Sequence, residues 1–456
     1  MTEIRKQFLG NLPRTDDSDM LACVGANGNP DSRDYAFGFL NAAELLLEQQ
    51  HIKKPHRAKY PADHMVYPIC FNIRHGIEIS IKYFLDELEK LYAQRKLTFE
   101  VTSKNAHNIE VIWKDYSQLA IQFDVRLGVM AQQLTKYIQP WAEIDATGQT
   151  FRYASSNNAQ KHLTEYSIID LFKVRLNLES LKTHLEDNFS LLSELGVEFD
   201  CNTYTKNLSR WDLYKLAKEL PLYIGWGERL KDVKARWVNE RGLSSNDFNR
   251  ACDLIKSHWE FAIDIGLEVP LTGGVTAEDI VWSIEKSMHY HNALNVPVTE
   301  NSDDLINSFV EYKKRKMIWL SGQEYHSILE RLSPELVATV SSLYYNNKRS
   351  SYCEDYRWYY EYEVKNLSIN DSNSLRQEFM RILEKKTFIS GVVDGLSLLG
   401  QHSIIEKLIL IEDIHAHFDE ATILECKSKT ERCNDWFVSL PSITKVDKFL
   451  SDLNLE

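Results

Sequence analysis

Arg74, His75, Glu78 and Lys82 stand close together in the segment YPICFNIRHGIEISIKYFLDEL. An arginine can hold phosphate charge, a histidine can move protons near neutral pH, and a carboxylate and an ammonium can complete a polar site. Arg74, Glu78 and Lys82 are four apart, so on a helix they share one face, whereas His75 is turned away from Arg74 by about 100°. Two uses follow. The face can line a dimer groove and meet RNA, a nucleotide or a partner protein, with Arg74 and His75 as the catalytic candidates if there is a reaction. Alternatively it is a buried or semi-buried ladder fixing its helix against Asp115, Trp113 or Arg152. The ladder is the expected use, because charge series on helices are usually structural.

Other residues could also do chemistry. His107 precedes a helix and reads as a cap or hinge. Arg152 is followed by Tyr153 and could touch a ligand, though packing against the helices is the simpler role. Lys313, Lys314, Arg315 and Lys316 form the densest basic run, either a solvated helix face or a nucleic-acid contact. Tyr352, Tyr356, Trp358, Tyr359, Tyr360 and Tyr362 could stack bases, but a run dense on both faces is expected to pack between helices. His415 and His417, with Cys426 and Cys433, have zinc-compatible types, yet residues two apart on a helix diverge by about 200°. His289 and His291 share that weakness. No P-loop, G-x-G-x-x-G or H-E-x-x-H motif is present, and Gly395-Leu396-Ser397 lacks the spacing of a nucleophile elbow. No cofactor or metal is expected.

These residues need helices to position them. Ala36, Leu40, Ala43 and Leu47 define a first helix over Arg33–Gln50. Val66, Ile69, Ile73, Ile77, Phe84, Leu88 and Leu91 define a second, starting near Pro61–Val66 and ending about Gln94. Leu97–Thr102 reads as strand-like. Helices are expected over Asn108–Tyr116, over Ser117–Gln139 with Pro140 as terminator, and over Tyr166–Leu195 with Gly196 as C-cap. Asp145–Ser156 reads as a turn and an extended piece. Further helices are expected at Arg210–Glu219, Glu228–Glu240, Asn246–Ile265 and Ala277–Asn292, with Ser209 and Ser245 as N-caps. Beyond residue 300 they are expected at Ser302–Trp319, Glu324–Leu332, Pro334–Tyr345, Ser374–Gly391 and Ser403–Glu425.

The fold class is therefore mainly α. The organisation is an N-terminal arm at 1–30, a helical bundle at 31–195, a middle helical region at 196–300 and a C-terminal helical region at 301–456. The net charge of -13 disfavours broad polyanion binding. The most apolar stretch, Val392–Ile411, carries Asp394, His402, Glu406 and Lys407 and reads as a core helix, so no membrane association is expected. Seven cysteines without C-x-x-C, and no secretory signal, point to a cytoplasmic protein with reduced thiols.

The segments DYAFGFLNAAELLLE, YPICFNIRHGIEISIKYFLDEL, HNIEVIWKDY and DATGQTFRYASS, in that order, resemble the HEPN superfamily, in particular bacterial HEPN-like helical proteins. The later FISGVVDGLSLLGQHSIIEKL resembles bacterial proteins of the same architecture. The resemblance implies a helical bundle over 31–195, a homodimer, and a place in toxin–antitoxin, antiviral defence or RNA-processing systems. It also implies that nuclease members cut RNA with an arginine followed four to six residues later by a histidine. Here Arg74 and His75 are adjacent, Arg175 and His184 are nine apart, Arg250 and His258 are eight apart, and Pro61 lies between Arg57 and His64. The expectation is a non-catalytic HEPN-like interaction or scaffold component, with a possible protein partner from a defence operon and possible RNA. The alternatives are a metal-independent ribonuclease using Arg74 or His75, and a helix-turn-helix DNA-binding accessory protein using Ser209–Leu220.

Overall fold

Apolar residues recurring at three and four positions fold this chain into seventeen α-helices among the described residues, with three short 3₁₀ turns between them and no β-strand. The computed structural model describes residues 22–25, 27–51, 61–101, 103–155, 161–295, 302–349, 352–369 and 372–411. The mainly α class is what the spacing predicts. Two compact units divide the chain, Met1–Glu194 and Leu195–Glu456. No helix is long and apolar enough to cross a membrane among the described residues.

The first unit is built from α1 (Ser32–His51), α2 (Ala62–Gln94), α3 (Ile109–Phe123), α4 (Val125–Asp145) and most of α5 (Leu171–Asp200). Leu40, Ile73, Ile77, Phe84, Leu134 and Leu185 are buried in its core. Burying one such side chain stabilises a fold by about 1.5–3 kcal/mol. Tyr116 is fully buried and its hydroxyl bonds Asn188 Oδ1 at 3.0 Å, so the polar tip on this core residue is satisfied.

Several boundaries differ from expectation, each for a local reason. The break between α3 and α4 falls at Asp124, whose carboxylate accepts from the Arg126 amide at 2.9 Å and pairs with the Arg126 guanidinium at 2.8 Å. Pro140 lies inside α4, which runs on to Asp145. Asp170 caps α5 by accepting from the Phe172 amide at 3.0 Å, so this helix starts later than the apolar stripe suggests. Gly196 does not end it: Phe199 beyond it is buried and meets Tyr204 with ring centroids 4.8 Å apart. Residues 97–101 carry no strand.

The second unit holds α6 (Arg210–Glu219), α7 (Glu228–Arg241), α8 (Ser245–Ser257), the single turn α9 (Trp259–Ala262) and α10 (Ala277–Leu294). It continues with α11 (Ser302–Ser321), α12 (Gln323–Arg331), α13 (Pro334–Arg349), α14 (Asp355–Ile369), α15 (Ser372–Leu383), α16 (Phe388–Leu398) and α17 (His402–Ile409). One core cluster gathers Leu208, Leu216, Phe248 and Phe261. A larger one runs from Trp259 to Leu408, across the boundary placed at residue 300. Capping boxes start three helices, from Ser209, Ser244 and Thr276 with Asp212, Asp247 and Asp279. Ser209 is the cap expected of it, and Ser244 takes the place expected of Ser245.

Three expected helices are divided. His258 interrupts the one over Asn246–Ile265, and residues 384–387 separate α15 from α16. The Val392–Ile411 stretch breaks at Gly400, which takes φ +61; a Cβ there would lie 2.1 Å from Ile263 Cδ1, so only glycine fits. The aromatic run forms a helix of its own, α14. Tyr356 and Tyr360 point inward, as does Tyr352 just before it, while Trp358 and Tyr362 are exposed and stack on each other at 5.6 Å.

Candidate functional site

Arg74 is 2% exposed, although it is among the most hydrophilic side chains in the sequence. Its Nε donates to the Asp145 carbonyl at 3.1 Å and its Nη2 to the Ala146 carbonyl at 2.7 Å. Nη2 also donates to the His107 carbonyl, and Nη1 pairs with the Glu78 carboxylate. A buried guanidinium is costly unless its donors are met, and here one helix, one interhelix loop and one helix end meet them together. Gly148 makes room: at φ +77, a Cβ on it would stand 3.0 Å from Arg74 Nη1. The DATGQT turn thus folds its carbonyls around the arginine. Neither Asp115, which accepts from Ser103, nor Trp113, which donates to Thr135 at 3.1 Å, provides the anchor expected from the sequence.

Glu78 closes this clamp. Besides Arg74, it meets Lys82 Nζ at 2.8 Å and His107 Nδ1 at 2.8 Å. Burial alone would raise its carboxyl, but the hydrogen bonds from Lys82, His107 and Arg74 outweigh it and hold the pKa at about 2. His107 serves through its backbone carbonyl and its ring; the N-cap of α3 is Asn108, which accepts from the Glu110 amide at 3.0 Å. His75 points away from the clamp, edge-on to Phe39 at 4.5 Å and stacked with Phe71 at 5.5 Å. Burial lowers its pKa, Arg74, Arg152 and Lys82 lower it further, and Glu78 opposes them. The structure therefore unites Arg74, Glu78, Lys82 and His107 and separates His75 from them. With Arg74 enclosed by protein acceptors, a phosphate has no access to its guanidinium in this arrangement.

Arg152 lies elsewhere in the first unit, over the rings of Phe71 at 5.9 Å and Tyr153 at 5.5 Å. It lines an open groove of about 760 Å³ with Tyr67, Tyr153, Tyr166 and Ile168. Ile168 is 84% exposed. The apolar surface continues along α5 through the exposed Phe172 and Leu176, one turn apart. Arg152, Lys161 and Asp63 all line this groove, so its charges are of both signs. No single helix periodicity pointed to this site, because three separate segments build it.

The second unit also holds a buried arginine, Arg210, which its sequence context does not single out. Arg210 pairs with Glu354 through Nε at 3.0 Å and with Glu260 through Nη2, and its guanidinium lies over the rings of Phe261 at 5.1 Å and Tyr352 at 5.0 Å. Thr203 Oγ1 and His258 Nε2 add bonds to Glu354 Oε1 at 2.6 and 2.9 Å. Burial would raise the Glu354 carboxyl; the charge of Arg210 and the adjoining His258 hold it well below the usual carboxylate range.

Cys353 Sγ stands 3.7 Å from His258 Nε2, and His258, Glu260 and Cys353 offer ligand atoms within 4.8 Å of one another. Two chemistries use such a set of groups, a thiol–histidine pair and a metal site. A thiol–histidine pair needs a ring nitrogen lone pair facing the sulfur, and a metal needs the same lone pair. The Phe261 amide donates to His258 Nδ1 at 3.3 Å, so Nδ1 is the unprotonated nitrogen and Nε2 carries the proton given to Glu354. The thiol instead donates to Glu354 Oε2 at 3.2 Å. Arg210 already stands where a cation would neutralise both carboxylates. The cluster is an arginine-centred polar core.

The remaining candidates separate. Arg315 pairs with Glu311 at 2.9 Å and Lys316 with Glu384 at 2.7 Å, while Lys313 and Lys314 are exposed. His289 meets Glu324 Oε1 at 3.0 Å and His291 meets the Leu383 carbonyl at 3.1 Å, so they share no site. In α6, Arg210, Trp211, Leu213 and Leu216 are buried, Lys218 pairs with Asp264 at 2.8 Å and Lys215 rests over the Trp211 ring at 5.3 Å, so the cations of the helix are engaged within its own unit. His415, His417, Cys426, Cys433 and Arg57 lie outside the described residues. Compared with protein-family models, curated proteins and solved structures, the chain matches none.

Proposed function

We propose that this chain is a non-catalytic interaction protein of the HEPN-like kind, self-associating through the groove face of its first unit. The observation that carries the reading is that groove. Tyr67, Tyr153, Tyr166 and Ile168 expose large apolar surface beside charges of both signs. Contiguous apolar surface rimmed by polar groups marks interaction sites. Mixed charge suits pairing with a second copy, since Asp63 of one subunit has Lys161 or Arg152 of the other to meet. Arg74, the residue best suited to hold a scissile phosphate, is engaged in the clamp, which favours scaffold over ribonuclease. The setting, a bacterial antiviral defence or toxin–antitoxin system with a protein partner, follows from the resemblance of residues 31–195.

Light scattering of the full chain at micromolar concentration is expected to give a dimer, and the exposed double substitution Ile168→Asp/Phe172→Asp is expected to give a monomer with unchanged helical signal. A wild-type monomer under these conditions would sink the self-association. Incubation with labelled RNA in EDTA is expected to leave the RNA intact. Cleavage lost in both His75→Ala and Arg152→Ala, with helicity retained, would establish the ribonuclease instead.

A further inference from the structure

The outer face of α11 carries a repeated pattern. Phe309, Lys313 and Met317 are four apart, and so are Val310, Lys314 and Ile318. Rows spaced by four are the ridges along which helices pack into one another. Both rows read apolar, lysine, apolar. The opposite side of α11 is already used, with Trp319 buried in the larger core, and Leu320 at the Phe309–Lys313 edge of the patterned face is partly buried against that core. The patterned face is open, with Phe309, Val310, Met317 and Ile318 exposed by 56%, 59%, 69% and 60%.

The cations of the basic run divide the same way. Arg315 is held by Glu311 and by the Asn295 carbonyl at 2.8 Å, and Lys316 by Glu384. Lys313 rests over the Phe309 ring at 4.6 Å, and Lys314 helps lower the Glu311 carboxyl by its charge, but no ion pair within 4.0 Å joins either lysine to a carboxylate among the described residues. Two lysines therefore sit at the centre of an exposed apolar field.

We infer that this face docks an acidic amphipathic helix of a different protein, one whose ridges read apolar, acid, apolar. Charge position decides between occupants. A second copy packed about a two-fold axis through the face would set four lysines against each other, which like-charge repulsion disfavours. A bilayer would take up the apolar side chains, but the lysines lie between them rather than along the border from which they could snorkel. A nucleic acid would meet two cations and four large aliphatic or aromatic side chains, too few charges for a phosphate chain in a protein of net charge -13. A helix with carboxylates at its centre meets both lysines and covers all four apolar residues. This docking face belongs to the second unit and does not rest on self-association of the first.

The test uses the full chain and a fluorescent synthetic helix of about twenty residues, long enough to hold helical structure, with two adjacent Leu–Glu–Leu rows spaced by four. Saturable anisotropy is expected with the wild type. The exposed double substitution Lys313→Glu/Lys314→Glu is expected to weaken binding at least about tenfold and to bind the matching Leu–Lys–Leu helix instead. Absence of saturable binding, or equal binding of the acidic helix to wild type and variant, overturns the inference. So does a wild type that prefers an oligouridine RNA or phosphatidylserine vesicles to the acidic helix and loses that preference in the double variant.

Discussion

Arg74 and Arg210 are both almost fully buried, yet they are held by different chemistry. Arg74 has one carboxylate and three backbone carbonyls as acceptors. Arg210 is held by two carboxylates, Glu354 and Glu260, between two aromatic rings. Carbonyls are dipoles that tolerate loss of a cation, whereas buried carboxylates are charges that do not. The first arrangement ties loops to a helix. The second concentrates charge within a core, so it should be the more costly to break.

Arg210→Ala is therefore expected to have the largest effect, destabilising the second unit by about 3–5 kcal/mol, because Glu354 and Glu260 lose the cation between them. Urea unfolding of the full chain followed by tryptophan fluorescence measures it. Adding Glu354→Gln to Arg210→Ala should recover part of the loss; full additivity would show that the two side chains are not coupled.

Arg74→Ala is expected to cost the first unit less, about 2–4 kcal/mol. Glu78 would keep Lys82 and His107, while the Asp145 and His107 carbonyls lose this donor. Arg74→Lys should recover little, since an ammonium cannot span acceptors spread around a planar fork. A loss in Arg74→Ala equal to that in Arg210→Ala would remove the distinction between dipolar and charged acceptors.

Acid sharpens the same contrast. The Glu78 carboxyl titrates at about 2 in the fold against 4.5 as its ordinary value. Its stabilisation is complete above pH 4.5 and is lost as pH falls toward 2, because the unfolded chain takes up the proton first. Glu354 acts in the same direction in the second unit. His75 acts earlier: its pKa lies below 6.5 in the fold, so the unfolded chain gains protons ahead of the folded one as pH drops through 6.5. Glu78→Gln should flatten the stability profile between pH 4.5 and 2 and leave the step nearer neutrality, which His75→Gln should remove. Urea midpoints taken across pH check both.

These two arginines also show what a sequence can reveal. The spacing of Arg74, Glu78 and Lys82 exposed their shared helix face, because an i,i+4 relation is local. That face could not show its own burial, since the Asp145 and Ala146 carbonyls arrive from 71 and 72 residues away. Arg210 gave no signal at all: Glu260 and Glu354 lie 50 and 144 residues along the chain, and neither stands at helical spacing from it. Helix existence was legible from periodicity. The breaks at Asp124, His258 and Gly400 were not, because a cap bond, a side chain recruited into a distant polar core and a close tertiary approach set them. In α11 the basic run was visible, while its division into paired and open cations depended on Glu384 in a separate part of the chain.

The smallest effect expected is at Gly148. Alanine there meets two penalties: a backbone at φ +77 and a Cβ 3.0 Å from Arg74 Nη1. The backbone part costs about 1 kcal/mol for a non-glycine residue in this region. The steric part exists only while the guanidinium is present. Gly148→Ala should therefore destabilise the first unit more in the wild type than in the Arg74→Ala background, and the difference between the two urea titrations measures how tightly the turn grips the arginine. Equal losses in both backgrounds would mean that the turn holds its shape without Arg74, and that the clamp gathers carbonyls already in place rather than drawing the loop around itself.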